Sequence, residues 1–256
     1  MPTTTSLAKR IIPCLDIKDG QTVKGINFEN LTYAGSPLEL AKGYASLGAD
    51  ELVLLDITAT IEGRNTFLDT VRSVAAHLNI PLTVGGGISC VADVDRLLSA
   101  GADKISINTA AIKSPSLIDQ LAKAFGSQCV VVAIDTRSVN GGHRVHSAGG
   151  RKLEPLETLA WAIECNDRGA GEILLTSMDA DGTKAGFDLP ITAQVSQAVS
   201  VPVIASGGAG TTADFLEVFS DGKADAALAA SVFHFNLIPI LELKKFLKDK
   251  GVSVRI

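Results

Sequence analysis

The sequence has no long apolar segment and little excess charge, and each of these shortages excludes a class of protein. No apolar run approaches the roughly 20 residues that a membrane-spanning helix needs. The first ten residues lack the apolar core of a signal peptide, so we expect a cytoplasmic protein with no membrane partner. The formal net charge of −5 over 256 residues argues against nucleic acid as the main partner.

Cysteine motifs and nucleotide-binding fingerprints are also scarce. The chain has only four cysteines, none of them in a Cys-x-x-Cys pair: Cys14, Cys90, Cys129 and Cys165. We interpret them as small apolar residues in a reducing compartment. No Gly-x-Gly-x-x-Gly fingerprint follows the first predicted strand, which argues against a dinucleotide. His143 and His146 lie on a predicted hairpin without a third ligand nearby, so we expect neither a metal nor another cofactor.

Short apolar runs alternate with amphipathic segments along the chain. We predict strands near 11–16, 51–56, 81–84, 103–107, 129–134, 171–176, 202–205 and 224–228. We predict helices over 37–47, 65–78, 91–100, 115–125, 154–168, 190–199, 211–221 and 239–250. The strands are almost continuously apolar, as in parallel sheets covered on both faces. Eight strand–helix pairs predict an α/β (β/α)8 TIM barrel, with a doubly wound open sheet as the alternative.

An internal repeat favours the barrel over the open sheet. Residues 81–89 (PLTVGGGIS) match residues 202–210 (PVIASGGAG), and Glu51 matches Glu172 at the same spacing of 121. We therefore predict a single domain over 1–256, built from half-barrels of about 1–125 and 126–256.

Each copy of the repeat ends a short strand in glycines. Glycine lets backbone N–H groups approach an anion, and the next helix start adds partial positive charge. One such unit predicts a phosphate site, and two symmetric units predict a substrate with a phosphate at each end. For any single glycine pair, a tight turn is the alternative. The candidate phosphate-binding residues are Gly86, Gly87, Asn108 and Thr109 on one side, and Gly207, Gly208, Ala230 and Ser231 on the other.

Two aspartates end the first and fifth predicted strands. Asp16 and Asp135 are 119 residues apart, so the repeat places them opposite each other at the carboxyl ends of the strands, where barrel enzymes do their chemistry. Two carboxylates on opposite walls suit general acid–base catalysis, provided that one holds a proton near neutrality. The alternative is that each caps a loop or pairs with a nearby cation. Asp-Gly at 19–20 and Asn-Gly at 140–141 predict a hairpin after each aspartate.

Two further residues, one of them with its neighbouring glycine, have weaker claims on the site. Asp181, beside Gly182 in the loop after the sixth strand, could bind a substrate hydroxyl or close a turn. Lys24, in the first hairpin, could counter a phosphate or simply be solvated.

Charged residues open four strands at the opposite end of the predicted barrel. They are Arg10, Glu51, Lys104 and Glu172. Charges inside a barrel must pair or stay hydrated, so we expect a ring of salt bridges that closes the floor. The ring is either a structural plug or a gate on an axial passage.

Long stretches of the chain resemble the cyclase subunit family of imidazole glycerol phosphate synthase. The matching segments are 8–20 (AKRIIPCLDIKDG), 23–25, 27–30 (NFEN), 83–88 (TVGGGI), 104–111 (KISINTAA), 125–128 (FGSQ), 169–177 (GAGEILLTS), 229–235 (AASVFHF) and 254–255. The resemblance covers nearly the whole chain.

The resemblance implies a cyclase of histidine biosynthesis. Its substrate would be phosphoribulosyl-formimino-aminoimidazole carboxamide ribonucleotide, a small molecule with a phosphate at each end. Its products would be imidazole glycerol phosphate and aminoimidazole carboxamide ribonucleotide. The resemblance implies that Asp16 and Asp135 are the acid–base pair. It also implies a glutaminase partner subunit in a heterodimer, with ammonia passing the four-residue gate and Asp103 near the interface.

Two competing functions remain at this point. The sister isomerase of the same pathway shares the repeat, the two phosphates and the two aspartates but needs no ammonia. The segment 27–30 and the charges at the strand starts favour the cyclase. A barrel that only binds phosphorylated metabolites or a partner is the more distant alternative, and the paired carboxylates argue against it.

Overall fold

The fold is a closed barrel of eight parallel strands with helices around it. A computed structural model describes residues 7–26, 29–57 and 67–256. The barrel strands are β1 (Arg10–Lys18), β4 (Leu52–Asp56), β5 (Leu82–Gly85), β6 (Lys104–Ile107), β7 (Val130–Val139), β10 (Glu172–Ser177), β11 (Val203–Ser206) and β12 (Ala226–Ala229). They pair in this order around the ring, and β12 returns to β1. The predicted (β/α)8 barrel is confirmed, and the open sheet is wrong.

The helices cover the outside of the barrel. They are α1 (Pro37–Ser46), α2 (Leu68–Ala75), α3 (Val91–Ser99), α4 (Thr109–Lys113), α5 (Ser116–Phe125), α6 (Thr158–Asp167), α7 (Leu189–Ala198), α8 (Thr212–Ser220), α9 (Ser231–His234) and α10 (Ile240–Asp249). The sequence analysis missed α4 and α9, since both are single turns too short for an amphipathic pattern. Residues 65 and 66 of the predicted helix 65–78 lie outside the described residues. Within the described residues, no helix is long and apolar enough to cross a membrane.

Packing divides the apolar residues into two layers. The larger cluster lies between strands and helices and includes Leu15, Leu54, Ile105 and Phe215, all fully buried. A smaller cluster fills the barrel interior with the alternate side chains of the strands: Ile12, Cys14, Val53, Val131, Leu174, Ile204, Ala226 and Leu228. Strands buried on both faces in this way explain the continuous apolar runs.

The internal repeat appears as equivalent local structure in the two halves. Cys90 and Thr211, 121 residues apart, each begin a helix with a capping box completed by Asp93 and Asp214 respectively. Strands β1 and β7 lie four positions apart in either direction around the eight-membered ring. The repeat therefore places equivalent strands diametrically opposite each other. The extent of the domain, 1–256, stays a prediction.

Both strands that carry the candidate aspartates run on into antiparallel extensions. Strand β1 continues into β2 (Gln21–Ile26) and β3 (Glu29–Gly35), and β7 into β8 (Gly142–Ser147) and β9 (Lys152–Glu157). Asp19 and Gly20, and likewise Asn140 and Gly141, have positive φ angles between +51° and +81°. Type I′ turns require this geometry, so the two predicted hairpins are confirmed.

One predicted helix start is wrong. Residues 154–157 belong to strand β9, and the helix begins at Thr158. Proline is common at helix starts, but Pro155 lies in a strand that, among the described strands, pairs with β8 alone. Proline is tolerated on such an edge because no ladder N–H is needed on the open side.

Candidate active site

A cavity of about 320 Å³ opens at the carboxyl ends of the barrel strands. Side chains from several strand ends and from the loops that follow them line this cavity. The sequence-predicted residues among its lining are Asp16, Asp135, Asp181, Gly182, Gly207, Gly208, Ala230 and Ser231. The cavity therefore brings both candidate catalytic aspartates together with one of the two predicted phosphate units.

Asp16 lies near the end of β1, inside the barrel mouth. Its side chain is almost fully buried, with 6% of the residue exposed. The thiol of Cys14, two residues earlier on the same face of the strand, lies 3.8 Å from Oδ1 of Asp16. The two-residue period of a strand brings these side chains together. In the next strand of the barrel, Leu55 pairs with Asp16.

Asp135 lies in β7 on the opposite wall of the barrel. Burial, helped by the negative charge of Asp181, raises the pKa of Asp135 to about 7. A hydrogen bond from Nδ2 of Asn108 to Oδ2 of Asp135, 2.9 Å long, acts against this rise. A carboxyl group with a pKa near neutrality can hold a proton and also release one, as an acid–base catalyst must.

The glycines of the repeat have a packing role that the sequence analysis did not predict. A Cβ atom on Gly86 would lie 2.3 Å from the carbonyl oxygen of Asp56, and one on Gly207 would lie 2.6 Å from that of Ser177. A Cβ atom on Gly208 would lie 1.9 Å from the carbonyl oxygen of Gly186. All three glycines also have φ angles between +90° and +103°. Only glycine fits these positions, because the end of the neighbouring strand, or the loop that follows it, lies so close to the backbone.

The predicted phosphate unit on β5 and β6 lies on the opposite wall from the unit on β11 and β12. Asn108 and Ala230 precede the short helices α4 and α9 with nearly the same unusual backbone angles, φ −129° and ψ −85° against φ −120° and ψ −73°. The Oγ1 atom of Thr109 accepts a hydrogen bond of 2.9 Å from the backbone N–H of Ala148. Gly86, Gly87, Asn108 and Thr109 are not among the residues that line the described cavity.

Asp181 belongs to a turn after β10 whose backbone is fixed by local hydrogen bonds. Its N–H donates to the carbonyl of Ser177 at 2.9 Å, and the Thr183 hydroxyl donates to the carbonyl of Ala180 at 2.6 Å. The Asp181 side chain lines the cavity, so this residue both takes part in a turn and faces the site. Lys24 lies in β2, but its side chain is outside the described part of the structure, as are residues 27 and 28.

At the amino ends of the strands, four charged side chains form a ring of ion pairs. Nη1 of Arg10 lies 2.6 Å from Oε1 of Glu51 and 2.8 Å from Oε1 of Glu172. Nζ of Lys104 lies 3.2 Å from Oε2 of Glu51 and 3.0 Å from Oε1 of Glu172. These are the four residues that the sequence analysis grouped. All four side chains are at least 85% buried. The ring closes the barrel floor, and its two positive charges balance its two negative charges.

Comparisons with known proteins find relatives over almost the whole chain. The family model described as "Histidine biosynthesis protein" matches residues 10–239. Curated relatives named "Imidazole glycerol phosphate synthase subunit HisF" include those of Cytophaga hutchinsonii and Flavobacterium johnsoniae, which are 62% and 60% identical to this chain. The matches cover 97% and 98% of this chain and 99% and 100% of the relatives. The relative from Geobacillus thermodenitrificans is 58% identical over 97% of this chain and 100% of its own.

This chain belongs to the HisF family. The resemblance found in the sequence is thereby confirmed, and the chain is an enzyme of histidine biosynthesis. The names of these relatives describe each of them as a subunit of a synthase.

Asp103 of this HisF chain lies at the same end of the barrel as the charged ring. Its Oδ2 atom accepts a hydrogen bond of 2.8 Å from the backbone N–H of Leu82, and the residue is exposed. Asp225, its equivalent in the second half, accepts one of 3.1 Å from the N–H of Val203 and also pairs with Lys9 at 3.2 Å. Asp103 therefore has a structural role, because it binds the backbone N–H at the start of β5.

Sequence reasoning missed several residues that line the HisF cavity. Arg151 and Met178 approach it from the β8–β9 turn and from the loop after β10. Lys184 lines it too, in the same loop as Asp181. Lys184 could have been predicted from the sequence, because it lies only three residues after the candidate residue Asp181. Arg151 gives no such signal, because only the folding back of β8 and β9 brings it to the barrel mouth.

Proposed function

We propose that Asp16 and Asp135 are the acid–base pair of a cyclase that forms imidazole glycerol phosphate. Membership of the HisF family favours the cyclase over the sister isomerase of the same pathway. The observation that carries the assignment of the two residues is their common cavity. Two carboxylates from opposite barrel walls line it, and the pKa of one of them, Asp135, is raised to about 7 by burial.

The substrate of this proposal is phosphoribulosyl-formimino-aminoimidazole carboxamide ribonucleotide. Ammonia condenses with the ketone of the substrate with loss of water, the chain is cleaved, and the imidazole ring closes to give imidazole glycerol phosphate and aminoimidazole carboxamide ribonucleotide. An elongated molecule with a phosphate at each end suits two glycine units on opposite walls of the barrel mouth. In this proposal the phosphates bind the residues predicted from the repeat, with Lys24 and the Asp181–Gly182 turn adding polar contacts.

The two carboxyl groups have different roles in this mechanism. Asp135 holds its proton near neutral pH, since burial and the charge of Asp181 raise its pKa, and it protonates the leaving amine. Asp16 acts as the base that removes a proton as the ring closes. The chemistry then rests on side-chain proton transfer and on the orientation of the substrate across the barrel.

Ammonia reaches the site from a glutaminase subunit in this proposal. The partner docks on the amino ends of the strands near Asp103, and the ring of Arg10, Glu51, Lys104 and Glu172 acts as a gate. The relatives are named as subunits of a synthase, which supports a complex with a second chain. A cytoplasmic location is part of the same proposal, and the four free cysteines suit a reducing compartment.

The test is turnover of the bisphosphate substrate by the purified chain. Loss of substrate absorbance is followed with and without concentrated ammonium salt at alkaline pH. Loss that depends on ammonium supports the cyclase, and addition of a glutaminase with glutamine should then replace the salt. Conversion of the unopened aminoaldose precursor to the ketose without ammonium would contradict the cyclase and assign the isomerase. The variants Asp16→Asn and Asp135→Asn should each reduce turnover strongly, and the pH–rate profiles of their residual turnover test the division of roles.

A further inference from the structure

The cavity contains more cationic side chains than the proposed mechanism uses. Arg137, Arg151 and Lys184 all line it. Arg137 is engaged, since its Nε atom lies 3.5 Å from Oδ1 of Asp179. Within the described part of the chain, Arg151 and Lys184 have no carboxylate partner within 4 Å. Two cations are thus available at the mouth for a negatively charged ligand.

Lys184 is held against the glycine segment that follows β11. A Cβ atom on Gly210 would lie 2.1 Å from the carbonyl oxygen of Lys184 and 2.9 Å from its Cβ atom. Two residues further along, the N–H of Gly186 donates to the carbonyl of Gly208 at 2.9 Å. Lys184 also has a left-handed φ of +58°, which lysine rarely adopts. This conformation and the close packing fix the start of the Lys184 side chain beside Gly208 and Gly210.

Arg151 approaches the same cavity from a different side. It follows Gly150, where a Cβ atom would lie 2.5 Å from the methyl carbon of Met178. The turn that carries Arg151 therefore packs, at Gly150, on the side chain of Met178 in the loop after β10. Lys184 is the cation whose own backbone touches the glycine segment.

A phosphate group in this cavity needs a positive partner. The carboxylates of Asp16 and Asp181 line the same space, and their negative charge repels a phosphate dianion. Backbone N–H groups alone carry no net charge to balance this repulsion. A lysine ammonium contributes a full charge and three hydrogen-bond donors, so it can balance the repulsion.

We propose that Lys184 binds the substrate phosphate that lies beside Gly207 and Gly208, and that the tight packing of its loop on Gly208 and Gly210 positions it for this. The inference rests on the proposed function, because it takes one of the two phosphates of the substrate as its ligand. Lys184 contributes to binding of the substrate and takes no part in proton transfer.

The experiment compares the full-length chain with Lys184→Gln, which keeps most of the side-chain length and removes the charge. With the bisphosphate substrate and ammonium salt, we expect KM to rise about tenfold, equal to about 1.4 kcal/mol, and kcat to stay within about twofold. Titration with inorganic phosphate, followed by calorimetry, should show a similar loss of affinity without any turnover. Lys184→Arg should restore both values, because it retains the charge.

Lys223→Gln is the matched control. Lys223 is also exposed and has the same φ of +58°, but it precedes β12 at the amino end of the barrel. We expect its KM and phosphate affinity to equal those of the unmodified chain. Unchanged KM and unchanged phosphate affinity in Lys184→Gln would overturn the role of Lys184 while leaving the cyclase intact. Failure of the unmodified chain to turn over would instead count against the proposed function, and the phosphate titration would still decide about Lys184.

Discussion

Asn108 donates a hydrogen bond of 2.9 Å from Nδ2 to Oδ2 of Asp135, joining the end of β6 to β7. The sequence analysis assigned Asn108 to a phosphate site, whereas the structure connects it to the candidate catalytic carboxyl group. The bond favours the ionised form of Asp135, while burial and the charge of Asp181 favour the protonated form. The protonation of Asp135 is therefore set by identifiable neighbours that can be changed one at a time.

Asn108→Ala should raise the pKa of Asp135, because it removes the hydrogen bond that lowers it. In ammonium-dependent turnover by the isolated chain, the limb of the pH–rate profile that belongs to Asp135 should move to higher pH. The limb is identified as the one that Asp135→Asn abolishes. An unmoved limb in Asn108→Ala would show that the bond has no influence on the titration.

Asp181→Asn should have the opposite effect. It replaces a negative charge that raises the pKa of Asp135 with a neutral group of the same shape. We expect the same limb of the pH–rate profile to move to lower pH. A contact between Asp181 and the substrate would in addition lower the maximum rate of this variant. Asp179→Asn, in the same loop but paired with Arg137, is the control, and we expect its limb to stay in place.

Asp135 should make the folded state less stable as pH rises. In an unfolded chain an aspartate titrates near pH 3.9, whereas the pKa of Asp135 in the folded chain is about 7. Its favourable contribution is complete below about pH 4 and is lost as pH rises through the folded value. The free energy of unfolding should thus fall, relative to Asp135→Asn, by up to about 1.4 kcal/mol per pH unit over this window.

Urea unfolding of the wild-type chain and of Asp135→Asn at pH 5 and pH 8 checks this expectation. The Asn variant should be the more stable protein at pH 8, by a few kcal/mol at most. The difference should be smaller at pH 5. If the difference in free energy of unfolding between the two proteins were the same at pH 5 and pH 8, Asp135 would titrate in the folded state as it does in the unfolded state.

Breaking the ring on the barrel floor should destabilise the fold strongly. Lys104→Met removes a cation that pairs with both Glu51 and Glu172, leaving two buried carboxylates with one arginine. Loss of one partner from a buried ion pair costs about 3–5 kcal/mol. Lys245→Met, which breaks an ion pair with Glu242 between side chains that are 53% and 64% exposed, should cost less than about 1 kcal/mol. Urea unfolding of both variants distinguishes the two cases, and similar small losses would contradict the buried ring.

Gly208→Ala should be far more damaging than Gly141→Ala. Both glycines have positive φ, at +103° and +81°, so both variants strain the backbone. Only at Gly208 would the added methyl group meet another chain segment, 1.9 Å from the carbonyl oxygen of Gly186; around Gly141 nothing lies within 4 Å. We expect a loss of about 1 kcal/mol for Gly141→Ala and a several-fold rise in KM together with a larger loss of stability for Gly208→Ala. Equal effects would show that φ alone requires these glycines.

Much of the fold could be predicted from the sequence because its signals are local. The starts of strands β1, β4 and β10 lie within two residues of the predicted starts, because short continuous apolar runs are recognisable in the sequence itself. Both hairpin turns follow from Asp19-Gly20 and Asn140-Gly141, where the residues themselves permit positive φ. The error at 154–157 arose where a proline could open a helix or lie on an edge strand, and only the pairing of β9 with β8 decided between them.

By itself, the sequence determined the barrel, its repeat and the residue types of the site, because strand periodicity and a repeat of 121 residues constrain which side chains share an end of the barrel. Tertiary structure alone decided which of those residues touch. It connected Asn108 to Asp135, packed Gly186 onto Gly208 and brought Lys184 to the cavity. These contacts join segments of different strand–loop units. Their distances and the pKa of Asp135 depend on burial and approach in three dimensions, which no local pattern specifies.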